Sequence, residues 1–174
     1  MKTSQKLFKF GLIIILIFCY FNAYAQNNYE KDKLDALINL SKFIDWYPYH
    51  SNENKVLFIY TNDNSSINYE IQSKNNFEYK DWQIICSNQT NKIVDHSIVF
   101  ISWEKKLNVR EIIKLSEKKN ILLVGDNIEG FCEKGGMINM ISRDGSTSFE
   151  INYTEIQNQN IEISTKLLTL SKIL

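Results

Sequence analysis

Residues 97–125 read SIVFISWEKKLNVREIIKLSEKKNILLVG and contain two apolar runs separated by an amphipathic segment. The runs Ser97 to Trp103 and Ile121 to Gly125 are continuous, which is typical of strands buried on both faces. A helix from about Asn108 to Lys118 is predicted between them. A strand, a helix and a second strand in this order indicate two parallel strands of one sheet, joined by a crossover helix.

Two further apolar runs extend this pattern towards the N-terminus. Val56 to Thr61 reads VLFIYT, and Trp82 to Cys86 reads WQIIC. A helix from about Ser66 to Lys74 is expected after the first run. Buried strands separated by helices predict the α/β class, with a mainly parallel sheet flanked by helices on both faces.

The pattern changes after Gly125. Met137 to Ser142 and Thr147 to Tyr153 have strand character, and the dipeptide Asp144-Gly145 between them is typical of a hairpin turn. We therefore expect a C-terminal antiparallel hairpin. A helical turn near Thr154 to Asn158 and a closing helix capped by Ser164 complete the predicted domain.

Amphipathic helices are expected to open and close the folded domain. The opening helix should end near Trp46-Tyr47-Pro48, because Pro48 disfavours the helical conformation in Tyr47. Lys33 is expected among the polar residues on its exposed faces. The apolar stripe of the opening helix comprises Leu34, Leu37, Ile38, Ile44 and Trp46, and that of the closing helix comprises Leu167, Leu168, Leu170 and Ile173.

The first 25 residues have the layout of a secretory signal peptide. Three lysines precede an apolar run, and Ala23-Tyr24-Ala25 has small residues at the two positions that a signal peptidase reads. The apolar core from Phe10 to Phe21 is about twelve residues long, whereas a membrane span needs about 20. We therefore expect cleavage after Ala25, a mature domain of residues 26–174 in the periplasm, and no stable membrane insertion.

Composition bounds the class of protein. Twenty basic and twenty acidic residues give a formal net charge of +0, and 44% of the residues are hydrophobic. This profile indicates a single globular domain rather than a disordered chain. It also argues against nucleic acid as a partner, because nucleic-acid binders usually carry a basic stripe.

Export leaves two cysteines, Cys86 and Cys132. An oxidising compartment allows them to form a disulfide, and two buried thiols are the alternative. His50 and His96 show no ligand spacing to either cysteine, and there is no Cys-x-x-Cys motif. We therefore expect neither a metal site nor a cofactor.

Asp126 is the candidate ligand-binding residue, because it follows a predicted buried strand. Open α/β sheets bind ligands in the crevice outside the carboxyl ends of their strands. Gly130, Gly135 and Gly136 match no phosphate-binding motif and are interpreted as turn glycines. No segment assembles a nucleophile, a base and oxyanion donors, so the expected function is not enzymatic.

The order and spacing of the C-terminal residues resemble the YfiR-like family. The segments that carry the resemblance are Gly130-Phe131, Gly135-Gly136-Met137-Ile138, Phe149-Glu150-Ile151-Asn152 and Ile163 to Leu170. The opening helix ending at Trp46-Tyr47-Pro48 and the segment His96 to Ser102 look like family features further upstream. Characterised members act in the periplasm as repressors of a membrane-bound diguanylate cyclase, with redox-sensitive disulfides that support the fold.

The resemblance implies a partner surface and a changed disulfide pattern. Strand alternation places Glu150 on the solvated face of an edge strand; the alternative, which the resemblance suggests, is a recognition surface that Glu150 forms with Ile138 and Ile156. The family often has cysteines where this chain has Asp95 and Asn139. A bridge between Cys86 and Cys132 would therefore be a re-paired one.

The function that this resemblance implies is regulation by binding. The mature protein would dock on the extracytoplasmic domain of an inner-membrane signalling protein, such as a diguanylate cyclase, and repress its cyclic-di-GMP output. Two alternatives stay open: a periplasmic module whose crevice near Asp126 binds a small molecule and reports to a sensor or transporter, and an uncharacterised hydrolase. The sequence also leaves a homodimer open.

Overall fold

The computed structural model describes residues 31–46, 56–62, 65, 67–69, 78–79, 82–117, 119–143 and 146–174. Four of the sequence predictions lie outside these residues: the signal peptide, His50, most of the helix from Ser66 to Lys74, and the turn at Asp144-Gly145.

Short strands and helices alternate along the described chain. The strands are β1 Ile44–Trp46, β2 Val56–Tyr60, β3 Glu78–Tyr79, β4 Trp82–Ser87, β5 Ile98–Ile101, β6 Leu122–Asp126, β7 Ile138–Arg143, β8 Ser146–Ile151, β9 Ile161–Ile163 and β10 Ser171–Ile173. The labelled helices are α1 at 31–40, α2 Val109–Ser116, α3 Tyr153–Asn158 and α4 Thr165–Thr169, with 3₁₀ turns at Ser41–Phe43, Thr90–Lys92 and Trp103–Asn108. Residues 67–69 are also helical.

Eight of the strands form one mixed sheet in the order β10-β8-β7-β6-β5-β2-β4-β3. The pairs β7 with β8 and β3 with β4 are antiparallel, and the other neighbours in this sheet are parallel. β1 and β9 form a separate antiparallel pair. This arrangement confirms the predicted α/β fold with a mainly parallel sheet and a C-terminal antiparallel hairpin.

The central strands are buried along their whole length. Every residue of β2, β5 and β6 is buried. Because successive side chains of a strand point to opposite faces of the sheet, such strands have both faces covered. Val109 and Ile112 of α2 and Leu34 and Leu37 of α1 belong to the same core.

The strand order creates a topological switch point between β2 and β5. From β2 the chain passes to β4 on one side, and it then returns to β5 and continues to β6 and β7 on the other side. The five strands β4-β2-β5-β6-β7 thus have the order of the flavodoxin-like doubly wound sheet, in which ligands bind at the switch point. The loops after β2 and β5 are therefore the first place to look for a site.

The predicted opening helix is too long. Residues 31–40 are helical, but Ile44–Trp46 form β1 and pair with β9, with Ile44 opposite Ile163 and Trp46 opposite Ile161. The apolar residues that continue the helical spacing, Ile44 and Trp46, thus belong to a strand, because β9, more than a hundred residues later in the sequence, pairs with them.

The predicted closing helix is also too long. Ser164 caps α4 as expected, since its hydroxyl oxygen accepts a hydrogen bond from the amide of Leu167. The helix then ends at Thr169, and Ser171–Ile173 form an edge strand parallel to β8. Leu167 is buried, whereas Leu170 is 69% exposed and Ile173 is 52% exposed. The predicted apolar stripe is therefore not a continuous buried face.

Among the described residues, no helix has the length and apolar content that a membrane crossing requires.

Candidate functional site

A crevice opens at the carboxyl ends of β2, β5 and β6. Its cavity volume is about 330 Å³. Each strand contributes polar residues at its end: Thr61 follows β2, Ser102 and Trp103 follow β5, and Asp126 is the last residue of β6. The predicted position of Asp126 in a crevice at the carboxyl edge is therefore correct, and the crevice lies at the switch point of the sheet.

Lys33 of α1 reaches into this crevice and forms an ion pair with Asp126. The Lys33 Nζ atom donates to the Asp126 Oδ2 atom at 3.0 Å, and the two side chains are 8% and 10% exposed. The backbone N–H of Trp103 lies 3.4 Å from the same oxygen. The expectation that Lys33 lies on an exposed face of the helix is wrong, because this lysine points towards a buried carboxylate.

A chain of hydroxyl groups connects the ends of β2 and β5. The Ser102 hydroxyl donates to the Thr61 hydroxyl oxygen at 3.1 Å, and the Thr61 hydroxyl donates to the Glu104 carboxylate at 3.3 Å. Thr61 and Ser102 are 1% and 5% exposed, whereas Glu104 is exposed at the rim. The crevice therefore offers buried hydroxyls below a solvent-facing carboxylate.

Asn139 of β7 fixes the loop that follows Asp126. Its side-chain amide donates to the carbonyl of Ile128 at 2.9 Å, and its side-chain oxygen accepts from the Ile128 amide at 3.0 Å. Asn127, between Asp126 and Ile128, has a positive φ of 52°, a conformation that asparagine tolerates better than most residues. At the position where the family resemblance suggests a cysteine, a pair of amide hydrogen bonds thus holds the loop.

Glu150 lines a second and wider groove of about 750 Å³, next to the crevice. One of its carboxylate oxygens accepts from the Nζ atom of Lys172 at 3.0 Å, and the other lies 3.5 Å from the side-chain amide of Asn139. Trp103, on the same groove, is 51% exposed, and the Nζ atom of Lys106 lies 3.5 Å from the centre of its ring. We call this surface the Trp103–Glu150 groove.

Ile138 and Ile156, the two apolar residues expected to share a recognition surface with Glu150, are both fully buried. Ile138 of β7 lies between Val124 of β6 and Ile151 of β8 in the sheet, and Ile156 is the buried residue of α3. They belong to the core, so the expected surface is corrected to one that keeps Glu150 and loses both isoleucines.

The structure does not bring Cys86 and Cys132 together, and both are free thiols. Cys86 lies on β4, whereas the Cys132 sulfur lies 3.5 Å from the carbonyl oxygen of Glu150 on β8. Four strands separate β4 from β8. At about 4.8 Å per strand the two cysteines are on the order of 20 Å apart, whereas a bridge needs Cα atoms within about 7 Å. This geometry corrects the expected pairing in favour of the buried-thiol alternative.

Burial also sets the chemistry of the two thiols. It raises the pKa of Cys86 to about 12 and is the main cause that raises the pKa of Cys132 to about 12. Near neutral pH both groups are therefore protonated and weakly nucleophilic. No cluster of three or more His, Cys, Asp or Glu residues within the described ranges has a geometry that could hold a metal ion.

The sequence alone did not indicate Lys33, Thr61 and Ser102 as site residues. A signal for Lys33 was present: it lies four residues before Leu37 and seven before Leu40, and thus on the stripe that becomes buried. Thr61 and Ser102 each follow a buried apolar run, and this position is informative only once the sheet order places both strands at the switch point.

Comparison with known proteins agrees with this structure. A family model described as YfiR/HmsC-like matches residues 31–172, which include the described strands apart from Ile173 at the end of β10, and the crevice residues named above. No curated protein matches the chain. Since the family model covers most of the sequence, the chain belongs to the YfiR/HmsC-like family.

Proposed function

We propose that this protein is an exported regulator that docks on the extracytoplasmic domain of an inner-membrane signalling protein and holds its cytoplasmic output low. A diguanylate cyclase is the expected partner. The observation that carries this proposal is the family match over residues 31–172, because characterised relatives of this kind act as periplasmic repressors of such a cyclase. Export through a signal peptide cleaved after Ala25 is part of the proposal.

Repression by docking requires differential affinity. A regulator shifts a two-state partner only if it binds one state more tightly than the other. Moving an equilibrium from about 1:99 to 99:1 needs a ratio of affinities of roughly ten thousand. The protein therefore needs a surface that contacts a part of the partner that changes between its active and inactive states, and it needs no catalytic chemistry of its own.

The Trp103–Glu150 groove is the surface we assign to this contact. Exposed tryptophans are enriched among the residues that dominate interface energies, and Trp103 is half-exposed beside Lys106. Charged residues of both signs surround it, including Lys134, Glu129 and Glu133, as is typical of an interface rim. Glu150 lies in the same groove and retains the role that the family resemblance suggested for it.

An in-cell crosslink tests the proposal. A photoreactive amino acid at Glu129, exposed in the groove, is compared with the same residue at Gln83, exposed on β4 at the other side of the sheet. The full chain with residues 1–25 is used. We expect the Glu129 position, and not the Gln83 position, to capture an inner-membrane protein with a cytoplasmic cyclase or kinase domain.

Two controls make the outcome decisive. Deleting the protein should raise the product of the captured enzyme, cyclic di-GMP in the case of a diguanylate cyclase, and lowered or unchanged product contradicts repression. Capture of soluble material only, or of the same species from Glu129 and Gln83, contradicts docking through the groove. A crosslinked species of twice the mass would identify the homodimer.

A periplasmic small-molecule-binding module is the second candidate function. The specific observation in its favour is the crevice at the switch point, with Asp126 and Lys33 buried at its base. This function is compatible with the first, since a ligand in the crevice lies next to the Trp103–Glu150 groove through the shared residues Trp103 and Asn127.

A further inference from the structure

We propose that the crevice at the ends of β2, β5 and β6 binds a small organic cation, namely a molecule of about ten non-hydrogen atoms that carries a protonated amine. This inference rests on the second candidate function, the ligand-binding crevice, and names the chemical class of its ligand. It is independent of the docking partner, because the purified protein suffices to test it.

One oxygen of the Asp126 carboxylate favours a ligand that donates a hydrogen bond. This residue is 7% exposed, and both hydrogen bonds that its side chain makes within the described part of the chain go to Oδ2, from Lys33 and from the Trp103 amide. The Oδ1 atom has no donor among the described residues. Burying a carboxylate oxygen without a hydrogen-bond donor costs free energy. Because Asp126 lines the cavity, a ligand there that donates a hydrogen bond to Oδ1 would remove this cost.

The charge of the crevice favours a cation. Among its described lining residues the charged ones are Lys33, Asp126 and Glu104, with a net formal charge of −1. Lys33 is already engaged with Asp126 at 3.0 Å, so no other described residue of the lining compensates the carboxylate of Glu104 at the rim. An incoming cation is therefore attracted, whereas an anion meets a net repulsion.

Hydroxyl groups line the crevice together with these carboxylates. The hydroxyls of Thr61, Ser65 and Ser102 line the cavity and can donate or accept hydrogen bonds. These hydroxyls can form hydrogen bonds with the uncharged polar groups of a ligand. A phosphate or carboxylate ligand would instead need unpaired cations or a cradle of backbone amides, and Lys33, already paired, is the one cation in the part of the lining that the structure describes.

The volume of the crevice limits the size of the ligand. The cavity of about 330 Å³ lies at the lower end of the range of small-molecule sites, roughly 300–1,000 Å³. Since one water molecule takes about 30 Å³, the space corresponds to roughly eleven waters, or about ten non-hydrogen atoms of ligand. A dinucleotide or cyclic dinucleotide is too large for it.

Matched probes that differ only in charge test the class of ligand. The first set is putrescine, 1,4-butanediol and succinate, which share a four-carbon chain; the second is glucosamine, glucose and glucuronate, which share a hexose ring. Binding to the purified, full folded protein is measured by calorimetry and by ¹⁵N amide shifts. We expect at least one amine to bind about tenfold or more tightly than its neutral and anionic counterparts, with shifts at Ser102, Trp103 and Asp126.

Glu104→Gln is the informative variant, because Glu104 is exposed and its loss leaves no buried charge unpaired. We expect the affinity for the amine to fall about three- to tenfold, as for the loss of one charge-assisted hydrogen bond near the surface. Glu117→Gln, an equal change of charge at an exposed position that does not line the crevice, should leave the affinity unchanged.

The outcomes separate the class of ligand from the function of the crevice. If the neutral or anionic probe of a set binds as tightly as the amine or more tightly, with amide shifts at the crevice, the cation assignment is overturned but the ligand-binding function is kept. Absence of binding by both amines at millimolar concentration, or shifts confined to residues elsewhere, overturns the inference. An equal loss of affinity in Glu104→Gln and Glu117→Gln also overturns it, because the effect would then be one of overall charge.

Discussion

The Nζ atom of Lys33 lies 3.0 Å from the Oδ2 atom of Asp126 although 93 positions separate the two residues in the sequence. Lys33 belongs to the opening helix and Asp126 to the end of β6, so the pair ties α1 to the carboxyl edge of the sheet. Both side chains are at least nine-tenths buried. A buried pair of this kind adds little net stability, but losing one partner strands the other charge in a medium of low polarity.

Removing one partner of this pair should destabilise the protein strongly. We expect Asp126→Asn and Lys33→Met each to lower the free energy of unfolding by about 3 kcal/mol, because each removes the ion-pair partner of a buried charge. The double variant should lose clearly less than the sum of the two single losses. Urea unfolding of the three variants measures these values.

The exposed pair of Lys119 and Asp95 is the matched control. Its atoms are 3.5 Å apart and its side chains are 30% and 57% exposed, so Lys119→Met should cost less than about 1 kcal/mol. Equal losses at Lys33 and Lys119, or strict additivity in the double variant, would show that Lys33 and Asp126 do not act as a buried pair.

Gly136→Ala should destabilise the loop between β6 and β7. A Cβ atom at this position would overlap the ring of Phe131, which is fully buried, and the Gly136 amide also donates to the Phe131 carbonyl at 2.9 Å. Overpacking of a filled core typically costs about 1–3 kcal/mol. The loss should appear in the urea midpoint without a change in the slope of the transition.

A smaller residue in place of Phe131 should relieve the overlap with the alanine Cβ atom at position 136. In Phe131→Leu the space beside Gly136 opens, so adding Gly136→Ala to Phe131→Leu should cost less than Gly136→Ala costs in the wild-type protein. If the alanine is equally costly in both backgrounds, the glycine is required for a reason other than contact with Phe131.

Asn152→Ala should cost more than the loss of an ordinary helix cap. The Asn152 side chain accepts from the Glu155 amide at the start of α3 and also donates to the carbonyl of Cys132 at 2.9 Å. Ser164→Ala removes a cap alone, at a cost of about 1 kcal/mol. We expect Asn152→Ala to lose about 1 kcal/mol more than Ser164→Ala in thermal or urea unfolding, and equal losses would contradict the second role.

The strands of the sheet core were predictable because their signal is local. Ile98–Ile101 and Leu122–Asp126 lie in continuous apolar runs, and such a run is enough to predict a strand that is buried on both faces. β1 and β10 were missed because their state depends on distant partners: Ile44 pairs with Ile163, and Ile173 with Ile151. Apolar residues that continue a helical period are compatible with either state until such a partner is known.

The candidate site was predictable only in part, for a related reason. The position of Asp126 follows from the end of a strand, which one segment of sequence reveals. Its partner Lys33 and the hydroxyls of Thr61 and Ser102 come from other segments, and the sheet order alone brings them together. Ile138 was misassigned to a surface because the sequence of β7 does not show which face of the strand packs into the core, where Ile138 is fully buried.

Reducing agents should leave the stability of the protein unchanged. Cys86 and Cys132 are free thiols on opposite sides of four strands, so dithiothreitol has no bridge between them to reduce. We expect the melting temperatures with and without dithiothreitol to agree. When protein that has not been reduced is denatured and its thiols are alkylated, its mass should show that both cysteines are labelled. A lower melting temperature with reductant would instead restore the disulfide.

The same thiols should make the protein sensitive to alkaline pH. Burial raises the pKa of each to about 12, above the value near 9.0 of an exposed cysteine. At a pH below about 9, both the folded protein and the unfolded chain keep the protons of these thiols. Between about pH 9 and pH 12 the unfolded chain releases protons that the folded protein retains, so the free energy of unfolding falls as the pH rises.

A variant that lacks both thiols separates this effect from other groups that titrate at high pH, including Tyr60, whose pKa is also raised by burial. We expect Cys86→Ala with Cys132→Ala to lose less stability between pH 8 and about pH 11 than the wild-type protein loses, whatever its stability at pH 8, because the slope depends only on the difference in bound protons. Urea unfolding at each pH gives both slopes. Parallel slopes would mean that the cysteines titrate alike in the folded and unfolded chains, and thus that burial does not keep them protonated.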